Sequence, residues 1–170
     1  MKTNSILLLL IMPTMILSQE KNELPNSRVD YDGFVELTRE AHKYREKRLI
    51  PFNDFLDYMK DEHTILLDTR SKEAYTSKHI KGAVHLNFSD FTDEKLAKII
   101  PSKDTRILIY CNNNIDGDKI NFASKRMPLA LNIPTFINLY GYGYKNIYEL
   151  SSLLPASFIK LEFEGTSVEK

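Results

Sequence analysis

The apolar positions fall into short blocks whose period changes along the chain. From Phe34 the spacing is helical: Phe34, Leu37, Ala41 and Tyr44 fall at intervals of 3, 4 and 3. Glu36, Arg39, Glu40, Lys43, Glu46 and Lys47 occupy the other face, so a solvated helix packed by one stripe is expected over 31–48. Phe55, Leu56 and Met59 mark a short helix, with Asn53 as its expected cap. Ile65-Leu66-Leu67 reads as a buried strand ending at Asp68. Ser71 caps the next helix, and Glu73 suits its positive end. Ala83–Leu86 is another short strand, and Thr92-Asp93-Glu94 opens a helix that stops before Pro101. Ile107–Tyr110 is the most strand-like run in the chain. A helix is expected around Ile120, Ala123 and Met127, ended by Pro128, then a strand at Phe136–Leu139. A Gly-Tyr-Gly turn leads to a helix around Ile147–Leu153, and Ile159–Glu164 alternates as an edge strand should. Short apolar strands alternating with helices predict one α/β domain with a mainly parallel sheet covered on both faces.

The first residues have a different pattern. Lys2 is followed by Ile6–Leu17, in which 10 of 12 residues are apolar and none is charged, and then by Ser18. That order reads as a secretory signal peptide, residues 1–18, with a flexible leader over 19–30. The run is shorter than the roughly 20 apolar residues a membrane span needs, so no stable membrane insertion is expected once it is removed. The mature chain is expected to be exported, periplasmic or secreted.

Charge and cysteine content narrow the chemistry. The 170 residues carry 23 basic and 23 acidic side chains. Removing residues 1–18 takes away Lys2 and leaves 22 against 23, a net of −1. That balance offers no electrostatic footprint for nucleic acid. One Cys excludes an internal disulfide and a multi-thiolate zinc site, and the histidines show no metal-ligand spacing. No cofactor is expected.

The solitary thiol, Cys111, follows the strand Ile107–Tyr110 and opens the loop Asn112-Asn113-Asn114-Ile115-Asp116-Gly117. Ligands of open α/β sheets bind beyond the carboxyl ends of the strands. A loop entering a helix N-terminus presents unpaired N–H groups, which favour a nucleophilic thiolate. The rest of the motif is Asp68-Thr69-Arg70, Glu73, Tyr75 and His79-Ile80-Lys81-Gly82-Ala83. With Cys111 at its strand end and Gly141 and Gly143 in the place of a glycine turn, the chain over 49–154 resembles the rhodanese domain, leaving 155–170 as a C-terminal extension.

The resemblance implies a five-stranded, mainly parallel sheet flanked by helices, with an extra N-terminal helix and a C-terminal edge strand. It implies a sulfurtransferase in which Cys111 carries sulfane sulfur as a persulfide. Residues Asn112 to Gly117 would hold that sulfur, between a small-molecule or protein donor and a thiol acceptor. Asp68 and Arg70 read as an internal ion pair, and His79 as a structural histidine. Asp116 and Gly117 stand where relatives carry an arginine, which argues against thiosulfate turnover and against phosphatase activity. Asp116 and Asp118 are expected to raise the thiol pKa. The interval from Cys111 to Gly141, 141 − 111 = 30 residues, is longer than the family's. Two alternatives stay open: a catalytically silent rhodanese-fold binding module, and a thiol redox sensor.

Overall fold

The computed structural model describes residues 24–168; the expected signal peptide and the first part of the leader lie outside them. Helix α1 (Tyr31–Arg45) starts where Asp30 accepts a hydrogen bond from the Gly33 N–H. Strand β1 (Leu49–Ile50) leads into α2 (Phe52–Met59), whose N-cap is Pro51 rather than Asn53. Proline has its φ pre-set and needs no partner for a missing N–H, so it enters a helix readily. Then come β2 (Thr64–Asp68) and α3 (Lys72–Ser77), with the Ser71 hydroxyl accepting from the Ala74 N–H. Strands β3 (His79–Ile80) and β4 (Val84–His85) precede α4 (Asp93–Ile99), which is capped by Thr92. Strand β5 (Arg106–Tyr110) is the centre of the fold.

After β5 the elements depart from expectation. The chain forms β6 (Ile115–Asp116), α5 (Asn132–Gly141), β7 (Ile147–Leu150), β8 (Leu154–Pro155) and β9 (Phe163–Glu164). The expected helix around Ile120 does not form. Residues 117–131 are turns and loop with one 3-10 turn at Met127–Leu129, and Ile120 is exposed. Phe136–Leu139, expected as a strand, lies inside α5, and the expected helix around Ile147–Leu153 contains β7. Both errors have one cause. Helix α5 packs on the sheet and on α1, burying Thr135, Phe136, Ile137 and Leu139. A helix covered on more than one side shows no polar stripe, and a short apolar run cannot be told from a strand by periodicity. Pro134 sits in its first turn, where a missing N–H is harmless.

The main sheet runs β1-β7-β5-β2-β4, and every pairing in it is parallel. Side chains of β5 alternate between two cores. Leu108 and Tyr110 join Phe52, Phe55, Leu66 and Leu150 on the α2 face. Ile107 and Ile109 join Ala41, Leu67, Leu96 and Phe136 on the face covered by α1, α4 and α5. Such two-sided burial is why β5 is a continuous apolar run. Strand β9 pairs antiparallel with β3 in a separate two-stranded unit, and β6 pairs parallel with β8 in another. The β9 end is fixed beside α3 by Gly165, whose φ is +135° and whose Cα lies against the Ser77 carbonyl; an added Cβ would come within 2.3 Å of that oxygen.

Candidate active site

Cys111 lies just past the carboxyl end of β5, at the sheet's middle strand, and is 1 % exposed. Backbone N–H groups of Asn132, Asn113 and Leu131 stand close enough to its sulfur to favour the thiolate. Asn132 is the first residue of α5 and Leu131 its N-cap, so the sulfur also feels the positive end of that helix. Together they form a cradle for a sulfur-centred anion, because amides at a helix start have no other partners. Burial nonetheless dominates and pushes the thiol pKa up, with the Glu149 charge adding to it, while the three amides pull it down. The thiolate fraction at neutral pH is therefore below that of an ordinary cysteine. Alkylation of Cys111 by iodoacetamide should be slow at pH 7 and keep rising beyond the pH at which an exposed cysteine levels off. A profile levelling off below that of a free thiol contradicts this balance.

Asn112 and Asn113 turn their side-chain amides to the returning segment of the loop, and Asn114 turns its own to the end of β7. Asn112 Nδ2 donates to the Ala123 carbonyl at 2.9 Å. Asn113 clasps Lys125 twice, donating to its carbonyl at 2.7 Å and accepting from its N–H at 3.0 Å. Asn114 is buried; its Oδ1 accepts from the Cys111 N–H at 2.9 Å and its Nδ2 donates to the carbonyls of Leu150 and Ser152. Of these three residues it is the backbone, at Asn113 and Asn114, and not the side chains, that meets the sulfur. Ile115 is buried and Asp116 exposed in β6, and Gly117 turns the chain with φ +85°. Asp118 pairs with Lys78 at 3.0 Å and bonds Asn121. The carboxylate whose charge bears on the thiol is Glu149, not Asp116 or Asp118.

Asp68 and Arg70 are both buried and paired, Nη2 to Oδ2 at 2.6 Å. The Tyr110 hydroxyl also donates to Asp68, at 2.6 Å. Arg70 also donates to the carbonyls of Lys78, at 2.7 Å, and Asn121, at 3.0 Å, and to Asn112 Oδ1 at 3.4 Å, and lies over the Phe122 ring. It thus pins the long loop to the end of β2 rather than facing the sulfur. His79 Nδ1 bonds the Tyr75 carbonyl at 2.7 Å and its ring stacks on Tyr75. Among the described residues no group of His, Cys, Asp or Glu is arranged to hold a metal. Tyr140, Tyr142 and Tyr144 lie at the far end of α5 and just beyond it, where Tyr144 is core and Tyr142 bonds the Phe91 carbonyl.

Sequence reading missed three residues that the fold brings here. Glu149 sits in β7 opposite Ile109 of β5 and is 5 % exposed. Arg45, the last residue of α1, grips it with Nε and Nη2 at 2.5 and 2.7 Å. Asn132 Nδ2 bridges Asn114 Oδ1 at 3.0 Å and Glu149 Oε1 at 3.3 Å, while Asn132 Oδ1 is buried with no partner among the described residues. One signal was available: Glu149 is an acid inside an apolar strand run, and buried acids need a partner.

The family model for the rhodanese-like domain matches residues 52–152. The chain belongs to this family. Solved structures to which it is similar include the BH2092 protein of Bacillus halodurans, at 21 % identity and TM-score 0.49, covering 76 % of this chain and 87 % of that one. Another is protein hp1203 of Helicobacter pylori, at 18 % identity and TM-score 0.46, covering 74 % and 97 %. A third is a rhodanese with anions from E. coli, at 18 % identity and TM-score 0.40, covering 60 % and 98 %. No curated protein matches the chain.

Membership places this rhodanese-like domain in the sulfurtransferase superfamily. The amide cradle suits an anion on Cys111. The segment 117–131 is tied down at Asn121, Ala123 and Lys125, so the cradle's second half, at Leu131 and Asn132, is reached by an ordered detour. Helix α1, which supplies Arg45, lies outside the matched segment.

Proposed function

We propose that this rhodanese-like domain is an exported sulfurtransferase that carries sulfane sulfur on Cys111. The observation that supports the reading is the convergence of three backbone amides on the Cys111 sulfur at the head of α5. The Cys111 thiol first gives up its proton to solvent. Its thiolate attacks the outer sulfur of a persulfide donor, R–S–S⁻. A bond forms between Sγ and that sulfur, the donor S–S bond breaks, and R–S⁻ leaves. An acceptor thiolate then attacks the outer sulfur of the Cys111 persulfide, forming a new acceptor persulfide and returning the Cys111 thiolate. Sulfur changes hands twice with no net oxidation. The cradle holds the persulfide anion as it would hold an oxyanion, by fixed N–H dipoles in a site shielded from water. Loss of the arginine expected near the thiol, with Asp116 and Gly117 in its stead, favours persulfide over thiosulfate as the donor. The basic and apolar order of residues 2–18 supports an exported setting.

A second reading, a silent rhodanese-fold binding module, is favoured by the burial of the thiol and its raised pKa. A transfer assay separates the two. A low-molecular-weight persulfide and an excess of acceptor thiol are incubated with wild type or Cys111→Ser, and sulfane sulfur on the acceptor is measured. Transfer faster than in buffer alone with wild type, and at the buffer rate with Cys111→Ser, is expected. Equal rates for both proteins and for buffer alone favour the binding module.

A further inference from the structure

We infer that Glu149 is a positioning residue of the Cys111 site and that Arg45, on a helix outside the family segment, offsets its negative charge. The inference deepens the sulfur-transfer reading and rests on it for its functional meaning. A carboxylate in the interior strand of a parallel sheet is costly to bury, and it survives only when paired and hydrogen-bonded. Glu149 has both: the two-point grip of Arg45 and the Asn132 amide. The same Asn132 contributes its backbone N–H to the thiol and its side chain to Asn114, which in turn holds the Cys111 N–H. A continuous set of bonds therefore runs from α1 through Glu149 and Asn132 to both ends of Cys111. It serves two ends. It fixes the first residue of α5, and hence the direction of the amide cradle. It also leaves a negative charge beside the thiol whose strength depends on Arg45.

The other charged groups around Cys111 are accounted for. Asp68 and Arg70, on the β2 side, neutralise each other and bind Tyr110. Helix α5 carries no charged side chain between Asn132 and Gly141. Besides Arg45, α1 presents His42, which is exposed and borders with Arg45 a cavity of about 250 Å³ between α1 and α5. Asp116, Lys119 and Lys125 are exposed, and Asp118 is paired with Lys78. Glu149 is thus the carboxylate that bears on the thiol, and its partner Arg45 is the lever.

The test is the pH profile of iodoacetamide alkylation of Cys111 in the full chain. Below its pKa a thiol reacts in proportion to its thiolate fraction, so a shift of half to one pH unit reads as about a three- to tenfold change in rate. Glu149→Gln should react about three- to tenfold faster than wild type at pH 8, with its midpoint moved down. Arg45→Gln should react more slowly, with its midpoint moved up, because the carboxylate is left uncompensated; Arg45→Lys should stay near wild type. Opposite signs are the diagnostic, since loosening of the fold would speed both. Should Arg45→Gln fail to fold by far-UV circular dichroism, the neutral double variant Arg45→Gln/Glu149→Gln decides. It should stay faster than wild type with a lowered midpoint. Unmoved midpoints in Glu149→Gln and the double variant, or shifts of one sign in both single variants, overturn the inference. Alkylation needs no sulfur donor, so this outcome is independent of the transfer assay. Transfer with unmoved profiles sinks the role of Glu149 alone; moved profiles without transfer sink the sulfurtransferase reading alone.

Discussion

Arg70→Ala is expected to remove about 3–5 kcal/mol of stability, the usual loss when one partner of a buried ion pair is deleted. Domains of this size are stable by only about 5–15 kcal/mol, so the variant should be largely unfolded well below the wild-type midpoint. The size follows from what Arg70 leaves behind. Asp68 is fully buried and would keep only the Tyr110 hydroxyl and the backbone N–H of residue 70 as partners. The carbonyls of Lys78 and Asn121 would lose their donors, and Phe122 its cation. Because Asn121 belongs to the segment that returns from Cys111, loss of Arg70 also frees the chain that carries half of the amide cradle. Arg70→Lys should recover little, since a single ammonium cannot reach the two carboxylate oxygens and the two carbonyls together. Urea denaturation followed by circular dichroism measures this. A loss below about 1 kcal/mol for Arg70→Ala would mean that the pair contributes no more than a surface ion pair does.

Asn114→Ala should be the second most damaging change outside the apolar core. One buried amide satisfies the Cys111 N–H, the Asn132 side chain and the carbonyls of Leu150 and Ser152. A buried polar group left without a partner costs about 1–3 kcal/mol. Water can enter the space left by the amide and recover part of this, so a net loss of about 2–4 kcal/mol is expected. Asn114→Asp should not restore it, because an acceptor would then face the Leu150 and Ser152 carbonyls. Thermal melting of the two variants beside wild type checks the ranking. Stability equal to wild type in Asn114→Asp would contradict the donor role of Nδ2. Alkylation gives a second readout: with the Cys111 N–H unanchored, the sulfur should become more accessible in Asn114→Ala.

Both residues stood in the sequence motif, and the fold shows why motif and mechanism differ. The Asn run was legible as a loop beside a thiol, yet its side chains brace the loop, and the amides at the sulfur come largely from Leu131 and Asn132. Their arrival depends on where α5 begins, which apolar spacing could not reveal. Strands β2 and β5, helices α1 and α4, and the Ser71 cap were readable because each is bounded by a polar punctuation mark. Reading Phe136–Leu139 as a strand shifts the following elements by one and makes a helix of β7. Glu149 was hidden for the same reason. In a solvated helix an acid needs no explanation, whereas in an interior strand it demands one. Its partner Arg45 stands in a helix that reads as an ordinary solvated one, and nothing local links the two.

Sulfur loading of Cys111 tests the central claim most directly. The full chain is reduced, desalted, exposed to a low-molecular-weight persulfide and weighed intact by mass spectrometry beside Cys111→Ser treated alike. The account predicts a gain of one sulfur atom on wild type, reversed by an acceptor thiol, and no gain on Cys111→Ser. An unchanged wild-type mass after exposure both to persulfide and to thiosulfate would contradict it.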